Sequence, residues 1–150
     1  MDDVMDPYST HLMPLIKTAL ETTGSILELG CGDYFTPILR EISRIQGRIF
    51  KCQTTDKKWA EHVGGDIEIV PDWDSWSPPT GPWGMVFVDH DEGTWKRIKR
   101  VPLLSGFTNT VVLHDIEITM TRGGWENARK AFPRVTIYDK YQPGTAVMTC

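Results

Sequence analysis

The sequence predicts an α/β fold in which helices cover both faces of a doubly wound, mostly parallel β-sheet with one antiparallel edge strand. Short apolar segments alternate along the chain with segments of helical periodicity, as in successive β-α-β units. Several of these apolar segments have hydrophobic residues at consecutive positions, which is typical of parallel strands buried on both faces. We expect residues 1–150 to form a single domain around this sheet.

The first half of the chain contains three predicted strands with helices between them. Leu12, Leu15 and Ala19 recur at helical spacing and predict the first helix. Thr36 and Pro37 predict the N-cap and the first residue of the second helix. The predicted elements are a helix at 10–22, a strand at 25–29, a helix at 36–47, a strand at 48–54, a short helix at 57–62, a strand at 67–70 and a loop at 71–83.

The second half of the chain begins with the most apolar strand. Residues 85–88 form an unbroken apolar run that predicts a buried strand, and residues 110–113 predict another buried strand. Residues 134–141 and 145–150 flank a Pro-Gly turn, which predicts a closing antiparallel pair. Helices are predicted between these strands, the second of them at residues 125–132.

Composition narrows the classes of partner and compartment. The net charge of −4 argues against a broad surface for nucleic acid or for an anionic membrane, and the basic cluster at residues 96–100 is interpreted as a solvated helix face. Cys31, Cys52 and Cys150 lack the spacing of a disulfide framework or a zinc site. No segment has the pattern of a secretory signal or a membrane-spanning helix, so we expect a cytoplasmic protein.

Polar residues and glycines cluster where the predicted strands end. In open α/β sheets, ligands bind outside the carboxyl ends of the strands, near the point where the strand order reverses. The candidate residues at these ends are Glu28, Gly30, Cys31, Gly32, Asp56, Asp72, Asp89, His90, His114 and Asp115. This pattern predicts a ligand site at one edge of the sheet.

The glycine loop after the first strand favours a nucleoside over a dinucleotide. Gly30 and Gly32 allow a sharp turn and a close approach of ligand to backbone, with Glu28 and Cys31 beside them. A dinucleotide fingerprint needs a third glycine at position 35, which is Phe35. A plain strand-to-helix turn explains the same glycines equally well.

Acidic residues after the next two strands are candidates for binding the rest of a nucleoside. Asp56 can accept hydrogen bonds from ribose hydroxyls, although it can also cap the following helix. Asp72 can bind an adenine amino group while Trp73 stacks on the base. The alternative for Trp73 is a small hydrophobic core within its own loop.

Two segments resemble a known family. Residues 26–32 (ILELGCG) resemble the first motif of class I S-adenosylmethionine-dependent methyltransferases. Residues 86–93 (VFVDHDEG), with residues 112–116 (VLHDI), resemble the small macrocin and other sugar or antibiotic O-methyltransferases. The resemblance covers residues 25–150. It implies a Rossmann-like fold, S-adenosylmethionine bound by Gly30, Gly32 and Asp56, and a substrate or metal at Asp89 and Asp115.

Methyl transfer to a hydroxyl group requires alignment of the partners and removal of a proton. His90 or His114, assisted by Asp89, can act as the general base. Alternatively, Asp89 and Asp115 can hold a Mg²⁺ ion that acidifies the bound hydroxyl. The sequence therefore predicts O-methylation of a small-molecule acceptor.

Two other functions and one assembly state are alternatives for this chain. A catalytically silent nucleoside-binding or assembly module fits the shortness of the chain, whereas Phe35 disfavours an NAD-dependent oxidoreductase. Nucleic acid and membranes are not expected as partners. A homo-oligomer would complete an acceptor site that lacks a lid of its own.

Overall fold

The computed structural model describes residues 10–90, 92, 94–117 and 123–150, with the backbone alone at 94 and 95. Its helices are α1 (Leu12–Glu21), α2 (Phe35–Gln46), α3 (Lys57–Val63), α4 (Thr94–Arg100) and α5 (Trp125–Ala131), and a 3₁₀ turn (Val101–Leu104) follows α4. Its strands are β1 (Ser25–Leu29), β2 (Phe50–Thr54), β3 (Glu68–Ile69), β4 (Trp83–Val88), β5 (Thr110–His114), β6 (Arg134–Tyr138) and β7 (Thr145–Thr149). Two residues of the family-like segment, Asp91 and Gly93, lie outside the described residues.

The strands form a seven-stranded sheet in the order β3-β2-β1-β4-β5-β7-β6. Strand β1 pairs in parallel with both β2 and β4, so the strand order reverses between β1 and β4. Strand β7 runs antiparallel to its neighbours β5 and β6. The predicted fold class is confirmed, and the antiparallel strand lies one position inside the edge that β6 forms.

Both faces of the central strands are buried. Because successive side chains of a strand point to opposite faces, each strand contributes to two cores. On one face, α1 and α2 cover a core that includes Ile26, Met85, Phe87 and Val112. On the other face, α4, the 3₁₀ turn and α5 cover a core that includes Leu27, Leu29, Val86, Val88, Val111 and Leu113. This two-sided packing gives the carboxyl ends of β1, β4 and β5 a rigid support.

Several predicted boundaries differ from the structure by one to three residues, and two of these differences have a physical reason. Helix α2 begins at Phe35, with Tyr34 at the N-cap, so the predicted N-cap at Thr36 lies two positions late. The reason is that the Thr36 hydroxyl accepts a hydrogen bond from the backbone N–H of Gly32 at 2.8 Å and so serves the glycine loop. Strand β4 begins at Trp83, two residues before the apolar run, where the Trp83 amide donates to the Phe107 carbonyl.

In the part of the chain that the structure describes, no helix is long and apolar enough to cross a membrane.

Candidate active site

A cavity of about 640 Å³ opens at the carboxyl ends of β1, β4 and β5. It lies where the strand order reverses, the position at which open α/β sheets bind their ligands. Its size falls within the range of small-molecule sites. The residues that line it are His11, Cys31, Gly32, Asp33, Tyr34, Phe35, Trp59, Asp89, Arg97, His114, Asp115 and Pro143.

The two glycines of the loop after β1 are required by contacts within the protein. Gly30 has a φ of 90°, and a Cβ there would lie 2.4 Å from the carbonyl oxygen of Asp89. A Cβ on Gly32 would lie 2.4 Å from the ring of Phe35, which folds back over the loop. The glycines therefore bring β1 against the segment after β4, and Cys31 and Gly32 are left to line the cavity.

Glu28 lies beneath this loop and is fully buried in the sheet. Burial raises its pKa to about 8, and the nearby Cys31 and Asp89 add to the increase, while the Cys52 thiol and Thr36 hydroxyl oppose it. The carboxyl is therefore protonated at neutral pH. Glu28 supports the loop from below and is not among the residues that line the cavity.

Asp89 and His114 meet in the cavity, as predicted for two neighbouring strand ends. The Nδ1 atom of His114 lies 3.2 Å from Oδ1 of Asp89, and its Nε2 atom lies 3.4 Å from the hydroxyl of Thr10. Burial acts to raise the pKa of Asp89, but the hydrogen bond with His114 and the charge of Arg97 outweigh it and lower that pKa. An ionised Asp89 therefore holds one nitrogen of the His114 ring.

Arg97 joins Asp89 to Asp115. Its Nη1 atom donates to Oδ1 of Asp89 at 2.7 Å and to Oδ2 of Asp115 at 2.5 Å, and its Nε atom donates to the carbonyl of His90. Only 8% of Arg97 is exposed. The sequence predicted a solvated helix face at residues 96–100. Lys99 is exposed as predicted, whereas Arg97 is buried and points into the site.

His90 does not line the cavity. Its ring is fully buried, packs 4.3 Å from the ring of Trp73, and has its Nε2 atom 3.0 Å from Glu92. Burial lowers the pKa of His90 to about 4. Of the two histidines predicted as general base, the structure brings only His114 to the cavity, because adjacent residues at the end of β4 face opposite sides of the sheet.

The predicted nucleoside-binding residues after β2 and β3 have structural partners. Asp56 caps α3 by accepting a hydrogen bond from the backbone N–H of Trp59 at 2.9 Å. Asp72 accepts one from the backbone N–H of Ser75 at 2.7 Å. Trp73 is 5% exposed and packs against Trp76, so it presents no face to the cavity. The ribose and adenine roles of these residues stay predictions.

Aromatic residues that sequence reasoning missed line the cavity. Trp59 is 39% exposed, its Nε1 atom donates to the Cys31 carbonyl at 2.7 Å, and its ring stacks on His62. His11 is buried, its ring lies 4.2 Å from that of His114, and burial lowers its pKa to about 4. A tryptophan within the short polar segment directly after Asp56 is a sequence signal that could have identified Trp59.

Comparisons with known proteins establish the fold. No protein-family model and no curated protein sequence matches the chain. The crystal structure of the 23S rRNA methyltransferase ErmE is similar, with a TM-score of 0.56 and 16% sequence identity over 91% of this chain and 66% of the ErmE chain. The chain therefore spans about two thirds of the length of ErmE. At this identity the likeness shows a shared Rossmann-like fold.

Proposed function

We propose that this protein is an S-adenosylmethionine-dependent methyltransferase that methylates a hydroxyl group of a small acceptor. The observation that carries the proposal is that the glycine loop and the Asp89–His114 pair line the same cavity. The fold shared with ErmE supports methyl transfer as the reaction class. The net charge of −4 and the acidic side chains in the cavity favour a small acceptor over a polyanionic one.

The loop after β1 and Trp59 form the proposed donor side of the cavity. The hydrogen bond to Cys31 fixes the Trp59 ring next to the loop, and His62 packs against the ring. A ring held in this way can stack on the adenine base, the role that the sequence predicted for Trp73. Asp56, which accepts from the Trp59 amide, is the proposed partner of the ribose hydroxyls.

His114 is the proposed general base. Bound S-adenosylmethionine supplies an electrophilic methyl group, so the chain must align the acceptor and take up its proton. Asp89 holds Nδ1 of His114, which leaves Nε2 to accept the hydroxyl proton and lets the Asp89 carboxylate stabilise the resulting imidazolium. The Thr10 hydroxyl donates to the Pro143 carbonyl and lies 3.4 Å from Nε2, so an acceptor hydroxyl would replace it there and donate to Nε2.

Calorimetry with S-adenosylhomocysteine and a rate assay with labelled S-adenosylmethionine test the two halves of the proposal. We expect Trp59→Ala to weaken binding of S-adenosylhomocysteine and Trp59→Phe to retain most of it, because phenylalanine keeps an aromatic face. On a panel of sugars and phenols, His114→Gln should lower the methylation rate by about 10²–10⁴-fold without loss of donor binding.

Arg129→Gln, at an exposed position of α5 outside the cavity, is the control and should behave as the unaltered protein. Absence of S-adenosylhomocysteine binding at millimolar concentration would refute donor binding. A full methylation rate in His114→Gln would refute the assigned base.

A further inference from the structure

The site contains a set of side chains that a metal ion could bind. One potential ligand atom each from Asp89, His114 and Asp115 lies within 4.8 Å of the other two. Carboxylate oxygens and an imidazole nitrogen suit Mn²⁺ and related divalent ions. On these three residues alone, the structure would support the magnesium-type site that the sequence predicts.

Arg97 already makes two of the three contacts that such an ion would make. A single guanidinium nitrogen, Nη1, donates to an oxygen of Asp89 and to an oxygen of Asp115. The Nε atom is anchored on the carbonyl of His90, so the guanidinium is held from two sides. The side chain is 10% exposed, which leaves little water to screen its charge.

A divalent ion does not fit beside this guanidinium. It would need the same carboxylate oxygens that Arg97 occupies, and it would stand a few ångströms from a fixed positive charge in a partly desolvated site. Displacing Arg97 would in turn bury a guanidinium without its partners. The side chains that could bind a metal are therefore present, but Arg97 occupies the position between the two carboxylates.

We infer that Arg97 takes the place of a divalent cation in this site and that the site operates without a metal. The guanidinium neutralises part of the charge of Asp89 and Asp115 and fixes the carboxylate that holds His114. Arg97 is thus a positioning residue for the proposed base. This inference concerns the cation and holds whether or not the chain binds a methyl donor.

Titration of the full chain with Mn²⁺, followed by calorimetry and electron paramagnetic resonance, tests the inference. The unaltered protein should show no saturable binding up to about 1 mM Mn²⁺, because Arg97 repels the ion. Arg97→Ala should gain a site that binds Mn²⁺ at least about tenfold more tightly, and Mn²⁺ should raise the melting temperature of this variant alone. Adding Asp115→Asn should remove the gain.

Two variants provide matched controls. Arg97→Lys keeps a positive charge and should remain free of Mn²⁺. Arg100→Ala, one helical turn farther along α4, removes the ion pairs with Glu92 and Asp74 and should also remain free of Mn²⁺. These controls separate the loss of the Arg97 charge from a general loss of helix contacts.

Saturable binding of Mn²⁺ by the unaltered protein that Asp115→Asn abolishes would overturn the inference. A folded Arg97→Ala that gains no binding would overturn it as well. If circular dichroism shows that Arg97→Ala does not fold, Arg97→Gln replaces it, since glutamine keeps much of the side-chain stem and removes the charge.

Discussion

Replacing Glu28 with glutamine should change how the stability of the protein depends on pH. Glu28 is fully buried, and its pKa rises from 4.5 to about 8, mainly because burial disfavours the charged form. The charges of Cys31 and Asp89 act in the same direction, and the contacts with Cys52 and Thr36 act against it. Glutamine has nearly the same shape and cannot ionise.

The sign of the effect follows from proton linkage. Between pH 4.5 and about 8, the folded protein holds one more proton at Glu28 than the unfolded chain does, so stability falls as pH rises. The free energy of unfolding then drops by about 1.4 kcal/mol per pH unit within this window. Below pH 4.5, Glu28 causes no loss of stability. Above pH 8, the loss in the free energy of unfolding is complete and is on the order of 5 kcal/mol.

Urea unfolding followed by tryptophan fluorescence at pH values from about 5 to 9 measures this dependence. The difference in stability between Glu28→Gln and the unaltered protein should be small near pH 5 and should favour the variant by several kcal/mol near pH 8. Titrating groups that do not interact with Glu28 cancel in this difference. Glu61→Gln, at an exposed position of α3, is the matched control for the substitution itself. A difference for Glu28→Gln that is constant across the range would refute the buried, protonated carboxyl.

Two further substitutions test the packing that supports the site, both by urea unfolding. Gly30→Ala should cost several kcal/mol, because the added Cβ would meet the Asp89 carbonyl at 2.4 Å. Gly47→Ala, also at positive φ but with nothing within 4 Å, should cost only about 1–2 kcal/mol, and equal costs would contradict the close approach of β1 to β4. Trp76→Phe should cost about 1–3 kcal/mol, because Gln53 loses the buried hydrogen bond that Trp76 Nε1 donates at 2.9 Å. A cost below about 0.5 kcal/mol would show that this bond does not contribute.

The central sheet could be predicted from the sequence because burial on both faces leaves a direct mark on it. Strands β4 and β5 contain apolar runs at 85–88 and 111–113, and the helices that cover them are separated from them by polar turns. The ends of the edge strand β3 were harder to predict. Strand β3 has two residues, both exposed, and lies at an edge of the sheet beside β2, so no buried apolar run marks its ends. The start of α2 was misplaced because the hydroxyl of Thr36 bonds the amide of Gly32, a contact that depends on the folded loop.

The strand-end rule placed Asp89, His114 and Asp115 together because β4 and β5 are neighbouring parallel strands. It could not by itself distinguish Asp89 from His90. The alternation of side chains along β4 carries that information: Phe87 faces the core under α1 and α2, whereas Val88 faces the core under α4 and α5. Extending this alternation past Val88 places Asp89 and His90 on opposite sides, as the structure has them.

Arg97 reaches the cavity from a helix, so the strand-end rule could not identify it. The need to neutralise the acidic residues at the strand ends does point to Arg97. Asp89, Asp115 and Glu92 follow buried strands, and a group of carboxylates at the end of an apolar sheet is costly unless cations are buried with it. Either metal ions or basic side chains can meet this need. The next helix carries arginines at positions 97 and 100, one helical turn apart, and they pair with these acids. An acidic strand end followed at once by arginines at helical spacing therefore favours an ion-pair network over a metal site.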